Sequence, residues 1–127
     1  MKLRVVVLAL ILGVASIQPV NAIENPRDLL KFCQKLEQGR KGAGEDIRIP
    51  NTRESLLCWG YMQAIQDLSV LVDEDRGRML GSCPPEQTTS LQLIHSFVVY
   101  AKSHPDALEG NTAATVIKAL QQAFPCR

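Results

Sequence analysis

The sequence predicts an all-α fold, a small four- to five-helix bundle stapled by two disulfides. Apolar residues recur at helical spacing in four segments, and no stretch alternates apolar and polar residues for long enough to predict a strand. The four cysteines, Cys33, Cys58, Cys83 and Cys126, are an even number in a short chain that begins like an exported protein. That combination indicates a disulfide framework.

Residues 1–22 have the features of a secretory signal peptide. Basic Lys2 and Arg4 are followed by the apolar run VVVLALILGVASI and by the small-x-Ala sequence VNA. The alternative is a membrane anchor, but the run is shorter than the roughly 20 apolar residues that span a bilayer. We therefore predict cleavage after Ala22, no membrane association after cleavage, and one helical domain over residues 23–127.

The charge balance argues against a nucleic-acid partner. The chain has 14 basic and 13 acidic residues, and removing Lys2 and Arg4 with the signal peptide leaves 12 basic against 13 acidic. A nucleic-acid binder needs a basic face that neutralises phosphates. Association of this protein should instead depend on shape and on local patches.

The first predicted helix begins after Asn25, which can cap it, with Pro26 in the first helical position. Its apolar face is Leu29, Phe32, Cys33 and Leu36. It stops at Gly39, and the glycine-rich, charged stretch 39–51 is predicted to be a loop.

The second predicted helix covers roughly residues 52–73, with Asn51 and Glu54 as its capping pair. Its main apolar stripe is Leu57, Tyr61, Ile65, Leu68 and Val72, and it is widened by Cys58, Met62, Ala64 and Leu71. A helix that is apolar on most sides should be central in the bundle, with neighbours on more than one face.

Trp59, Gly60 and Tyr61 stand together in this helix, and we interpret them as structural core. Gly60 and Ala64, one turn apart, would remove side-chain bulk so that a neighbouring helix can approach closely. Trp59 and Tyr61 would supply large apolar area with a polar tip.

Two further helices complete the bundle. Thr89 and Gln92 form a capping box for a helix over about 90–103, which ends at His104 and Pro105. Its inward residues are Leu93, Ile94, Phe97, Val98 and Ala101. The last helix covers residues 112–124, with Val116, Ile117, Leu120 and Phe124 predicted to be buried.

Four cysteines allow three disulfide connectivities. Cys83 precedes the third helix and Cys126 follows the fourth, so an antiparallel pair of these helices would bring them together. Cys33 and Cys58 lie on the inward faces of the first two helices. We therefore favour Cys33 with Cys58 and Cys83 with Cys126. A zinc site is disfavoured because its ligands usually come in short paired spacings, and here the gaps are 25, 25 and 43 residues.

The residues offer little for catalysis. His95 has no carboxylate, thiolate or second histidine at helical spacing and is interpreted as a half-buried structural residue. His104 is explained as a cation at the end of a helix. We predict no catalytic residues, no metal site and no cofactor, so an enzyme is the least supported class.

Four blocks of the sequence stand in order along the chain: CWGYMQAIQD at 58–67, CPPEQTTSLQL at 83–93, VVYAKSHP at 98–105 and AFPC at 123–126. Together they resemble the signature blocks of the Rap/Tai family, exported immunity proteins against type VI secretion amidase effectors. The resemblance implies a small helical periplasmic protein, often a homodimer, that binds a peptidoglycan-cleaving amidase and blocks its active site without catalysing a reaction.

An inhibitor of this kind needs a rigid scaffold and a protruding loop that enters a cleft at little ordering cost. We expect residues 73–81 to be that loop and residues 39–51 to be the second choice. The predicted contacts are Asp73, Glu74, Asp75, Arg76 and Arg78. The alternative function is a small periplasmic acid-stress chaperone, which is also exported, bridged and often dimeric.

Overall fold

A computed structural model describes residues 23–127, and the signal peptide predicted for residues 1–22 lies outside them. The described chain contains four α-helices, α1 (Pro26–Gly39), α2 (Arg53–Ser69), α3 (Ser90–Ser103) and α4 (Thr112–Ala123). Two short antiparallel strands, β1 (Val72–Asp73) and β2 (Gly77–Arg78), form a hairpin between α2 and α3. Single 3-10 turns lie at Gly44–Asp46 and Pro105–Glu109. The predicted helical bundle is therefore observed, together with a hairpin that the sequence did not predict.

Side chains cap the helices where the sequence indicates. The Asn25 side chain accepts a 3.0 Å hydrogen bond from the Asp28 amide at the start of α1. At the start of α3, the Thr89 hydroxyl accepts from the Gln92 amide while the Gln92 side chain accepts from the Thr89 amide, as a capping box requires. These bonds satisfy backbone donors that have no partner within the helix.

The cap of α2 differs from the prediction by one residue. Thr52, not Asn51, adopts the extended cap geometry and accepts a hydrogen bond from the Ser55 amide. The same helix also ends earlier, at Ser69 rather than near residue 73. Val70 still has helical backbone angles, and the β-branched Val72 then begins the extended strand β1.

The core lies between all four helices, with α1 and α3 at its centre. The predicted inward residues of α1 and α3 are all buried, and Met62, Ile65, Val116 and Leu120 pack against them. Packing joins α1 to α2, α3 and α4, whereas α2 packs mainly on α1 and α3. The outer side of α2 is left uncovered within the described chain, so α2 is not the central helix.

The buried stripe of α2 is also rotated from the predicted one. Its buried residues are Ser55, Cys58, Met62, Ile65 and Ser69, while Leu68 and Val72 are exposed. Cys58 sets this rotation because its disulfide to Cys33 turns that side of α2 toward α1.

Both disulfides connect the cysteines that the sequence pairs. Cys33 and Cys58 are fully buried, with their Cα atoms 5.2 Å apart. Cys83 and Cys126 join the chain before α3 to the end of α4, with a Cα separation of 4.9 Å. The Cys83 amide also donates a 2.8 Å hydrogen bond to the Phe124 carbonyl, which reinforces this second junction.

The interpretation of Gly60 as a core residue is wrong. Trp59 and Tyr61 are partly buried against the core, and burial raises the pKa of the Tyr61 phenol above its ordinary value. Gly60 and Ala64, however, are exposed, and a Cβ atom added at Gly60 would meet no atom within 4 Å. The disulfide of Cys58 turns this side of α2 away from α1, so Gly60 admits no neighbouring helix of the described chain.

A buried polar network attaches α2 to the start of α3. The Gln63 amide donates a 2.6 Å hydrogen bond to the Ser90 hydroxyl, which donates a 2.6 Å bond to the Gln66 side-chain oxygen. Gln66 in turn donates to the Thr88 carbonyl. Ser90 is thus both donor and acceptor between two glutamines.

Replacing Ser90 with Ala should lower the free energy of unfolding by about 1–3 kcal/mol, because it leaves two partly buried amide groups without their partner. Urea unfolding measures the loss: the midpoint should fall, while the slope of the unfolding free energy against urea concentration stays unchanged. Ser103→Ala is the matched control, since the Ser103 hydroxyl is exposed and bonds only its own helix and the adjacent His104; it should change stability by less than about 0.5 kcal/mol. Equal effects of the two variants would contradict a structural network.

The Cys83→Ser, Cys126→Ser double variant should lose about 4 kcal/mol of stability in the chain-entropy model, because its bridge closes a loop of sequence separation 43. Chemical unfolding without reductant measures the loss. The Cys33→Ala, Cys58→Ala variant should be at least as unstable, since it also removes packing from a fully buried site. An unfolding midpoint equal to that of the wild type for the first variant would refute this contribution of the Cys83–Cys126 disulfide to stability.

Candidate partner-binding surface

The hairpin between α2 and α3 starts directly from the end of α2. The Ser69 hydroxyl donates a 2.7 Å hydrogen bond back to the Gln66 carbonyl, and the Leu71 amide donates to the Leu68 carbonyl. Arg78, on the returning strand, donates from Nη1 to the Ser69 carbonyl at 3.3 Å. The end of the helix is therefore joined to both strands of the hairpin.

The turn of the hairpin is closed by local hydrogen bonds. The Asp73 side chain accepts a 2.9 Å bond from the Asp75 amide, and the Arg76 amide points to the Asp73 carbonyl at 3.4 Å. Gly77 follows in the left-handed region at φ +75°. A tight turn followed by a left-handed glycine is a common three-residue hairpin connection, and it places Glu74, Asp75 and Arg76 at the tip.

The base of the hairpin is held against the end of the chain. The Gln121 side chain, on α4, donates a 2.8 Å hydrogen bond to the Leu80 carbonyl. Ser82 pairs with Pro125 in an isolated bridge, and Cys83 is bonded to Cys126 one residue later. The hairpin thus projects from a junction that is fixed at both of its ends.

Exposed apolar side chains surround this hairpin, and we call them the hairpin patch. Its members are Leu68, Val70, Leu71, Val72 and Met79. Val70, Val72 and Met79 expose 61%, 67% and 59% of their surface, and Leu71 and Met79 are joined by a 3.0 Å backbone hydrogen bond. Contiguous exposed apolar residues next to charged ones are typical of a protein-binding surface.

The five predicted contact residues divide into two groups. Glu74, Asp75 and Arg76 are exposed at the tip, where their charged groups can meet a partner. Asp73 and Arg78 are half-buried and are used inside the hairpin, in the turn and in the bond to Ser69. The tip therefore carries two carboxylates and one guanidinium, and the apolar patch flanks it.

The second-choice loop, residues 39–51, has a different character. Lys41 and Arg48 pair through two backbone hydrogen bonds of 2.9 and 2.8 Å, and residues 39–46 are all exposed. Gly42 and Gly44 have positive φ values, which the turn requires. No large apolar side chain of this loop is among the exposed ones in the described chain, so it offers a polar surface without an apolar anchor.

A groove of about 510 Å³ lies between the starts of α1 and α2. Phe32 and Leu57 form its floor, and charged side chains of both signs form its rim. Lys35, which donates a 2.8 Å hydrogen bond to Glu54, holds the pKa of that rim carboxyl below its usual value. The carboxyl of Glu54 in this groove is thus paired with a lysine, and no histidine or free cysteine lines the groove.

Neither histidine takes part in an arrangement that resembles a catalytic centre. His95 is exposed rather than half-buried, because it lies on the outer side of α3, and its Nδ1 is 2.9 Å from a Glu37 carboxylate oxygen on α1. His104 ends α3 and stacks on Tyr100 with a centroid distance of 4.1 Å. Among residues 23–127, no three His, Cys, Asp or Glu side chains are grouped to hold a metal ion, and no helix is long and apolar enough to cross a membrane.

The charged tip is predicted from the sequence, but the hairpin patch is not. Leu68, Leu71 and Val72 were predicted to lie on the apolar side of α2, because their spacing continues the helical period. The signal that could have separated them is the run Val70, Leu71, Val72, three consecutive apolar residues immediately before a charged turn. Two β-branched residues there favour a strand over another helical turn.

Comparison with known proteins identifies one family. The model of the family described as Rap1a immunity proteins matches residues 26–126, which include all four helices and both disulfides. No curated protein and no solved structure matches the chain. The match agrees with the resemblance carried by the four sequence blocks, and membership of an immunity family implies binding of a protein effector. The chain therefore belongs to the Rap1a immunity protein family.

Proposed function

We propose that this protein is a periplasmic immunity protein that binds and inhibits a type VI secretion peptidoglycan amidase effector and so protects the cell that makes it. The observation that carries the proposal is the hairpin, a charged tip flanked by exposed apolar side chains on a doubly anchored base. Family membership indicates that the partner is an effector protein. The hairpin is the surface that we expect to enter the cleft of that effector.

Rigidity of the hairpin is what makes inhibition by insertion physically reasonable. A loop that is ordered before binding loses little conformational entropy when it enters a cleft, so more of its contact energy becomes affinity. The Asx turn at Asp73, the bond from Arg78 to Ser69 and the bridge at Cys83 all order the hairpin in the free protein.

The two parts of the surface have different roles in this proposal. Val72 and Met79 provide apolar area that is removed from water on binding, which is the main source of affinity. Asp75 and Arg76 provide charges of opposite sign at neighbouring positions, which select a partner with the complementary arrangement. Blocking an amidase requires no catalytic group on the inhibitor, in keeping with a non-catalytic family.

The proposal includes export of the chain to the periplasm. Residues 1–22 direct the chain through the inner membrane and are removed, and residues 23–127 fold as one helical domain in the periplasm. The two disulfides support this location, because such bonds form and persist in oxidising compartments. The periplasm is also where a peptidoglycan amidase would meet its inhibitor. The proposal includes a homodimer, as the family resemblance implies.

Reversing the charges at the tip, with Asp75→Arg and Arg76→Glu together, should weaken binding to the cognate type VI secretion peptidoglycan amidase by at least about tenfold, or 1.4 kcal/mol. Isothermal titration calorimetry with the purified mature proteins measures it. Both side chains are exposed and make no side-chain bond within the hairpin, so the fold should be unaffected.

The matched control is the same kind of reversal in the second loop, Glu45→Arg with Arg48→Glu, which should leave the affinity within about twofold. Unchanged affinity of the tip variant, or a larger loss in the control, would place the contact surface elsewhere. If the wild-type chain does not bind the amidase at all, the proposal that such an amidase is its effector would be wrong.

The chaperone alternative makes a different prediction in acid. At about pH 2–3, below the reference pKa values of carboxyl groups, a chaperone should expose apolar surface and suppress aggregation of a denatured client. We expect no suppression by this protein, because two disulfides and an apolar core still hold its helices together when acid protonates the carboxylates of its exposed ion pairs. Light scattering of an acid-denatured client measures it, and clear suppression at equimolar protein would favour the chaperone.

A further inference from the structure

The two disulfides of this protein differ in their access to solvent. Cys33 and Cys58 are fully buried in the apolar core. Cys126, by contrast, is exposed, and its partner Cys83 is half-buried. Thiol–disulfide exchange requires a thiolate to reach one of the two sulfur atoms, so exposed disulfides are the labile ones. A reductant can therefore reach one disulfide of the folded protein, whereas it reaches the other only after the core opens.

Few non-covalent contacts hold the junction that the exposed disulfide closes. The Cys83 amide donates a 2.8 Å hydrogen bond to the Phe124 carbonyl, and Ser82 pairs with Pro125 in an isolated bridge. Pro125 is exposed, as Cys126 is, so these two residues bury little apolar area. The covalent bond is therefore the strongest constraint on this junction.

The hydroxyl of Ser82 favours opening of the same junction. Ser82 is fully buried, and its Oγ atom has no hydrogen-bond partner among residues 23–127. A buried hydroxyl without a partner destabilises the closed form, because it has given up its hydrogen bonds to water. Opening the junction returns this hydroxyl to solvent, which lowers the free energy that opening requires.

We propose that the Cys83–Cys126 disulfide is a site of thiol–disulfide exchange with a dithiol reductant, and that its reduction loosens the base of the hairpin. The incoming thiolate attacks the sulfur of the exposed Cys126, forms a mixed disulfide and releases the Cys83 thiolate. The second thiolate of the reductant then attacks the mixed disulfide, closes its own disulfide and releases the Cys126 thiolate. The two cysteines thus gain the two electrons and the two protons that the dithiol loses.

Reduction acts on the hairpin through the segment that follows β2. Residues 79–82 connect β2 to Cys83, and the Leu80 carbonyl in this segment accepts the hydrogen bond of the exposed Gln121 side chain. Without the disulfide, the position of the segment depends on that exposed hydrogen bond and on the bridge from Ser82 to Pro125. The core keeps its buried disulfide. The reduced protein should therefore keep its helices and lose order at the hairpin.

Loss of order at the hairpin should lower the affinity for the effector. A loop that becomes ordered only on binding loses more conformational entropy than one that is already ordered. The oxidised protein would then be the form that inhibits the effector, and the reduced protein would bind it weakly. This consequence rests on the proposed function, whereas the selective reduction of one disulfide does not.

Timed alkylation of the wild-type protein measures the selectivity of reduction. The folded protein is treated with dithiothreitol, quenched with iodoacetamide at intervals and mapped by peptide mass spectrometry. Cys83 and Cys126 should become alkylated at least about tenfold faster than Cys33 and Cys58, because only the first pair is reached without opening the core. Equal rates for both disulfides, or faster reduction of the buried one, would overturn the proposal.

Hydrogen exchange of the reduced and alkylated protein tests the loosening. The amides of Met79 and Cys83, which are both hydrogen-bonded, should exchange at least about tenfold faster than in the oxidised protein. Amides of α1 should remain protected, since the buried disulfide persists. The Cys83→Ser, Cys126→Ser variant, which carries no alkyl groups, is the matched control and should show the same pattern. Unchanged exchange at the hairpin, or loss of the helical circular dichroism signal, would overturn the proposal.

Calorimetric titration separates this inference from the proposed function. The oxidised chain and the reduced, alkylated chain, each freed of reductant, are titrated with the cognate amidase. The oxidised chain should bind at least about tenfold more tightly. Equal binding by both forms would overturn control of the hairpin by the disulfide. If neither form binds, the proposed function is wrong, while the alkylation rates and the hydrogen exchange still decide whether the disulfide is exchanged.

Discussion

The buried disulfide between Cys33 and Cys58 is the constraint on which the arrangement of this protein depends. It fixes not only the distance between α1 and α2 but also the rotation of α2 about its own axis. Once Cys58 faces α1, Met62 and Ile65 follow it into the core, and Gly60 and Ala64 must face away. One covalent bond therefore decides which side of α2 is core and which side is surface.

The second disulfide serves the surface rather than the core. Cys83 and Cys126 close the molecule where α3 begins and the chain ends, and the hairpin emerges from the same junction. A small domain has little apolar core from which to hold a projecting element. Covalent anchoring at the base lets a hairpin with exposed Val72 and Met79 remain ordered without being buried.

In the proposed function, the hairpin meets the effector through exposed apolar side chains and a charged tip. The hairpin patch and the tip belong to one continuous segment, residues 68–79. The groove between α1 and α2 and the loop at 39–51 lack the exposed apolar anchors that distinguish this segment.

Local chemistry was enough to predict the helices from the sequence. Asn25, Thr89 and the apolar periods place three of them within a residue or two, because capping and amphipathic spacing act over a few neighbouring residues. The cysteine pairing also followed, since an antiparallel helix pair brings Cys83 to Cys126. The charged tip was recognised because its composition is that of a loop.

Tertiary structure alone decided the rotation of α2, its end at Ser69 and the exposure of the residues beyond it. The sequence of α2 is apolar on most sides, so its periodicity does not say which side is covered. That choice is made by a partner 25 residues away, Cys33, and by the limited number of helices available to cover α2. Gly60 therefore passed from predicted core to exposed surface, because burial depends on what lies opposite a residue and not on the residue itself.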